Sequence, residues 1–182
     1  MNDVIQIGTL RYAPALQHPD LLAPVVHAAI SHGIATNARV AQIDENLADT
    51  GEFLAAYGTD AADSANCVVV IGRRGEARTP AACLVPSDTR ADVNTRVRKL
   101  LDARKASFAP HDWAIEQTGM EYGGITAIGL PESWRLLVDS RVTERDWVVI
   151  GGGTRRSKIA LPGADFEHLP GAEIVEGLGL TT

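Results

Sequence analysis

Apolar positions in this chain come in short blocks whose period keeps changing, from two to nearly four and back. A period of two marks a strand with one covered face, and a period near 3.6 marks a helix with a buried stripe. Residues 4–7 read as a short strand. Residues 19–31 read as one helix, with Pro19 at its start, Leu21, Leu22, Val25, Val26 and Ile30 at helical spacing, and Gly33 just beyond. Residues 38–43 alternate as a strand. Residues 49–57 carry the signals of a capped helix: Asp49 at the N-cap, Glu52 at the capping-box position and Gly58 to close it.

The middle of the chain is more apolar. Residues 67–71, Cys-Val-Val-Val-Ile, read as a buried strand. A turn at residues 72–75 and a second apolar run at 81–85 predict its antiparallel partner. Residues 92–101 predict a helix with an exposed basic face of Arg96, Arg98 and Lys99, and residues 110–118 another, with Pro110 in its first turn and Gly119 as its stop. Residues 136–139, 147–150 and 157–161 read as strands, with Gly151-Gly152-Gly153 turning the chain between the last two. A short helix at 164–168 and a short strand near Ile174 finish the pattern. Strands and helices mix without regular βαβ alternation, so the expected fold is α+β, a mixed, mostly antiparallel sheet with peripheral helices.

Composition narrows the class. The 182 residues, 45% hydrophobic and 22% charged, suit one ordinary domain over 1–182 with a real core. No apolar run approaches the ~20 residues of a membrane span. The first residues, Met1-Asn2-Asp3, lack a basic segment followed by an apolar stretch, so no signal peptide is read and a cytoplasmic location is expected. Cys67 and Cys83 lie in apolar runs without metal-type spacing and read as buried, reduced thiols. No metal and no cofactor are expected.

Charge is distributed unevenly. The net charge of −6 argues against a general nucleic-acid binder. Yet residues 73–158 hold fifteen of the seventeen Lys and Arg residues, against two in residues 1–72 and none after 158. A locally positive face on an acidic protein suits transient contact with RNA. Arg96, Arg98, Lys99, Arg155, Arg156 and Lys158 are the candidates to meet phosphates.

That same stretch contains residues 118–131, with glycines at 119, 123, 124 and 129 and only Glu121 and Tyr122 as ionisable groups. Such a loop offers backbone N–H and C=O groups that a ligand can approach closely. The five histidines, His18, His27, His32, His111 and His168, are scattered, and none falls in the loop. No Ser-His-Asp order emerges. Tyr122, Trp113, Trp134 and Trp147 read as packing residues.

The Gly-Gly-Ile-Thr and Ile-Gly-Leu-Pro order of this loop resembles the substrate loop of the YbaK/EbsC family, aminoacyl-tRNA deacylases related to the prolyl-tRNA synthetase editing domain. Three further segments carry the resemblance: Asn66-Cys67-Val68-Val69-Val70, Leu137-Val138-Asp139, and the run from Gly151 to Ile159. It covers residues 37–178. It implies a curved or barrel-like mixed sheet flanked by helices and the hydrolysis, in trans, of mischarged aminoacyl-tRNA. Gly123, Gly124, Ile125 and Thr126 would then supply the catalytic backbone. Asn66, Asp139, Gly151, Gly152, Gly153 and Ser157 would contact the substrate. The implied partners are the aminoacylated 3′ end of tRNA and an aminoacyl-tRNA synthetase, with the chain a monomer or homodimer. Two residues depart from the family. Asn66 stands where many members have lysine, and Ala127 stands where the loop usually has proline. These departures keep open a second reading, a binding module of the same fold for an aminoacyl-tRNA end or a small metabolite.

Overall fold

The computed structural model describes residues 3–182. Two five-stranded sheets organise it. The first contains β1 (Ile5–Ile7), β2 (Leu10–Pro14), β3 (Arg39–Gln42), β9 (Trp147–Gly151) and β10 (Ser157–Pro162), in the order β1-β2-β3-β10-β9, all antiparallel. The second contains β4 (Ala65–Arg74), β5 (Ala77–Pro86), β7 (Lys105–Phe108), β8 (Arg135–Asp139) and β11 (Ala172–Val175), in the order β11-β8-β5-β4-β7. Here β8 runs parallel to both β5 and β11, and the other pairings are antiparallel. A small ribbon pairs β6 (Thr89–Ala91) with β12 (Gly179–Thr181). The result is the expected mixed, mostly antiparallel, curled sheet with helices around it.

The β4–β5 hairpin keeps the predicted partnership, Cys67 opposite Leu84 and Val70 opposite Ala81. It is longer than predicted. Both strands continue through polar residues, and the turn narrows to Gly75-Glu76. Side chains on β5 alternate between two cores. Ala82 and Leu84 join the large core between the sheets, while Ala81, Cys83 and Val85 pack with Val93, Val97 and Leu101 on the outer face. The outer layer is a π-helical turn, Val93–Val97, running into α3 (Arg98–Leu100), where one regular helix was predicted.

Two other helices also depart from expectation. The predicted helix over 19–31 is broken. A 3-10 turn, Pro19–Leu21, ends before α1 (Pro24–Ser31), and Ala23 is extended at φ −63°, ψ 146° because a residue preceding proline is sterically pushed out of the α region. Helix α2 (Thr50–Tyr57) closes at Gly58 as predicted, but Asp49 makes no capping bond, because its carboxylate is engaged by Arg155. Helix α4 (His111–Thr118) stops at Gly119, and a short α5 (Ser140–Thr143) follows β8. Strands β2, β6, β7 and β12 were not read from the sequence. No helix is long and apolar enough to cross a membrane.

The two sheets meet at one parallel bridge, Ser64 to Val149. From there β4 and β9 run the same way and part. The site forms in that opening.

Candidate active site

A cavity of about 370 Å³ lies at the parting of β4 and β9. Residues 64–69 make one wall and 149–151 another, with Thr50 and Phe53 from α2, Phe108 and Ala109 from the end of β7, His111 and Ala114 from α4, and Tyr122, Gly123 and Ile125 from the glycine loop. Its inner lining is mostly small and apolar. Its rim is aromatic. The rings of His111 and Tyr122 are tilted at 36° with centroids 4.4 Å apart, Tyr122 is 52% exposed, and Phe108 is 60% exposed. Exposed aromatic rings at the mouth of a cavity offer a flat partner to a planar ligand. Phe108 and His111 were not among the expected site residues, because β7 is too short to read from the sequence and joins α4 only through Ala109-Pro110.

The glycine loop is held by the second glycine turn. The Gly153 N–H donates to Gly124 O at 2.8 Å, and the Glu121 N–H donates to Gly153 O at 2.9 Å. The Glu121 carboxylate accepts from the Arg155 N–H at 2.8 Å. Only glycine fits where these turns cross. A side chain on Gly124 would put Cβ 2.6 Å from the Thr154 carbonyl oxygen, and one on Gly153, at φ +84°, would strike Ala23 and Val26.

Within the loop the N–H groups are used alternately. Gly124 donates to Glu121 O at 2.9 Å and Thr126 to Met120 Sδ at 3.3 Å. Gly123 and Ile125, the two that line the cavity, donate to no group among the described residues. Gly124 and Thr126 are not on the cavity lining. Thr126 is fully buried, and its hydroxyl has no partner among the described residues.

Asn66 lines the cavity, and its Oδ1 accepts from Thr50 Oγ1 at 2.8 Å, so its NH₂ end is not consumed by that bond. Asp139 is not on the opposite wall, where a substrate contact would need it. Its side chain is fully buried, receives Arg141 Nε and Nη2 at 2.8 Å each and the Gly179 N–H at 2.8 Å, and ties β8 to β12. Burial alone would raise its pKa. The Arg141 guanidinium and the N–H groups of Gly179 and Arg141 outweigh burial and hold it below the usual carboxylate range. Gly151 reaches the cavity, while Gly152 packs on Ser157 and Gly153 on α1. Ser157 is buried and donates to Leu21 O at 2.5 Å. These three hold the site together from behind.

The six basic candidates are dispersed. Arg155 spans the rim, bonded to Asp49 Oδ1 and to Glu45 O at 3.1 Å each, and Arg156 reaches Asp20 O. Arg96 holds Glu176 O and Arg98 holds Asn94 O, on the outer face of the other sheet, where Lys99 is exposed. Lys158 is half-buried and does not lie on an open basic face. It projects from β10 into the cavity, where Nζ donates to Ala48 O at 2.9 Å and lies 4.8 Å above the Phe53 ring. Burial pushes its pKa down to about 8, with Asp49 opposing that shift and Arg155 adding to it. Burial likewise pushes the Cys67 thiol on the cavity wall up to about 12, with Cys83 adding to the rise, so it stays protonated at neutral pH.

Residues 44–169 match the model of the aminoacyl-tRNA editing domain, and this span includes every cavity-lining residue. The chain belongs to this family. Its role is therefore aminoacyl-tRNA deacylation in translation quality control. No curated protein matches the chain. Among solved structures, it is similar to a "putative trans-editing enzyme for prolyl tRNA synthetase", with 20% identity and a TM-score of 0.72 over 85% of this chain and 94% of that one. It is also similar to "hypothetical protein APE2540", with 21% identity and a TM-score of 0.69 over 79% of this chain and 91% of that one. At these identities the two structures establish the shared fold.

Proposed function

We propose that this editing domain is a catalytically active deacylase that acts in trans. The terminal adenosine of a mischarged tRNA would rest on the Phe108, His111 and Tyr122 rim, with the aminoacyl group inside. The observation that carries this reading is the pair of unspent N–H donors, Gly123 and Ile125, on the cavity lining. Two backbone donors, fixed by a loop that is itself braced through Gly124 and Gly153, form a preorganised site for a carbonyl oxygen that becomes negative as water attacks. The Asn66 amide orients the ester or the amino group beside it. Small apolar walls at Cys67, Val69, Ala109 and Ala114 suit an uncharged amino acid side chain.

The tRNA body has a path to this opening. Arg73, Arg98, Arg104 and Lys105 line a groove that shares Asn94 and Ser107 with the next one, and that next groove contains Arg90 and reaches Phe108 on the cavity rim. This basic track along β7 accounts for tRNA binding by a chain of net charge −6. Given the described neighbour of the same fold, tRNA for proline is the first substrate to try, with prolyl-tRNA synthetase as the enzyme whose errors would be corrected.

The test is single-turnover deacylation against a panel of correctly and wrongly charged tRNAs. Hydrolysis of at least one mischarged species well above the uncatalysed rate is expected. Replacing Ile125 by its α-hydroxy acid, which removes only the N–H, should slow that reaction by about 10²–10³-fold. Binding of the panel without any hydrolysis would leave the chain a binding module of this fold.

A further inference from the structure

We propose that Lys158 is a catalytic residue of this cavity, whose ammonium donates to the carbonyl oxygen of the bound aminoacyl ester and holds the oxyanion formed when water adds. The proposal rests on the deacylase reading above. Position is the first argument. On β10, Ile159 and Leu161 enter the main core, while Ala160 faces the apolar cluster of Phe53 and Val149. By the strand period, Lys158 shares the face of Ala160, where packing alone would favour an apolar residue. A lysine there costs stability, so packing does not explain it.

Its bonding is the second argument. The ammonium has three donors, and the structure uses one, on Ala48 O. No carboxylate comes within 4.0 Å of it among the described residues. Asp49, the acid whose charge acts on it, is paired with Arg155 at 3.1 Å. Lys158 is also the one Lys or Arg on the cavity lining among the described residues. It is anchored at Ala48, and Asn66 is anchored at Thr50, two residues further along the same segment. The cation and the amide are thus both held by residues 48–50, in a cavity that Gly123 and Ile125 also line.

The step balances without a cofactor. The water oxygen bonds to the ester carbon, and the carbonyl electron pair moves onto its oxygen, facing the ammonium. Collapse re-forms C=O and breaks the bond to the ribose oxygen. The ribose oxygen takes up the proton lost by the water, and the free carboxylic acid ionises to solvent. Lys158 donates a hydrogen bond throughout and keeps its proton.

Lys158→Met and Lys158→Arg test this. Lys158→Met should slow single-turnover deacylation by about 100-fold or more. It should also raise Tm at pH 7, by about 2–8 °C, because a buried charge is removed. That stability gap should close as pH rises from about 8 to the unfolded value of 10.5, since only the unfolded wild type still binds the proton there. Wild-type catalysis, corrected for uncatalysed hydrolysis, should fall above pH 8, and Lys158→Arg should retain it. The other titratable or charged groups facing Lys158 are Asp49, Arg155, Cys67, His111 and Tyr122. A His111→Gln variant run through the same profile removes the histidine from the comparison.

A folded Lys158→Met protein that deacylates at the wild-type rate overturns the proposal. So does a wild-type profile that stays flat to pH 10. If the wild type hydrolyses nothing in the panel, the deacylase reading fails by itself. The lysine is then judged by an amide-linked aminoacyl-adenosine analogue. About tenfold weaker binding by Lys158→Met supports the contact, and undiminished binding overturns it.

Discussion

Single residues divide here into those that meet the cavity and those that hold it. Asp139 is a holder, and its chemistry gives a pH signature. Its carboxyl is kept below the usual carboxylate range by Arg141 and two backbone N–H groups, against the opposing effect of burial. Below the ordinary carboxylate pKa, ~3.9, the unfolded chain binds a proton that the folded chain still refuses, so stability falls as pH drops through that range. Asp139→Asn should cost about 2–4 kcal/mol at pH 7, because a buried charge pair loses one member. Urea titrations at pH 3 and pH 7 should show a smaller pH dependence in the variant than in the wild type. At the rim, Phe108→Ala and Tyr122→Ala should weaken binding of an adenosine-bearing analogue by about 1–3 kcal/mol each, the range for a base stacked on an aromatic ring, and should leave Tm within a few degrees. Isothermal titration of the folded variants measures this.

Elements matter where they cross. The glycine loop and the 151–153 turn lie far apart in the chain and are bonded backbone to backbone, so the loop's shape depends on the turn. Gly124→Val places its Cβ against Thr154 backbone, in the seam between the two loops and outside the cavity. It should therefore destabilise the fold by about 1–3 kcal/mol and lower activity together, as overpacking does. Thermal melts and deacylation rates measured on one preparation should move in step. A protein with an unchanged Tm and no activity would place Gly124 in the cavity instead. Ala127 lies in the buried core, where its side chain packs with Met120 and Ile128, so the missing proline leaves a filled position.

For the whole molecule the decisive feature is uneven charge. An acidic protein can hold tRNA through a local track, and here the proposed track runs beside β7 and ends at the rim. Reversing Arg98, Arg104 and Lys105 to Glu should weaken tRNA binding at least tenfold near 0.1 M salt and make the slope of log K against log salt shallower by about 3, one per lost phosphate contact. Filter binding across a salt series checks it. Hydrolysis of a short aminoacyl-adenosine substrate should be unaffected, because the cavity lies beyond the track.

The sequence by itself determined the β4–β5 hairpin, both helices closed by Gly58 and Gly119, the three late strands and the glycine loop. Each of these is written in local period, turn chemistry or close-packed glycine, which act between near neighbours in the chain. The short strands β2, β6, β7 and β12 were not legible, because three to five residues carry too little periodicity. The family resemblance already groups Asn66, Gly123, Ile125 and Gly151 at one site, and tertiary structure decided that Lys158 joins them and Asp139 does not. Asn66, Gly123, Ile125, Gly151 and Lys158 come from three strands and a loop, and they meet because two sheets joined at Ser64 and Val149 part beyond that bridge. It also reversed two readings. The family resemblance implies a substrate contact for Asp139, and the charge pattern reads Lys158 among the cations that meet phosphates. Strand direction buries the first beneath β12 and turns the second toward the cavity, because the face a side chain takes is set by the register of its neighbours and not by its own polarity.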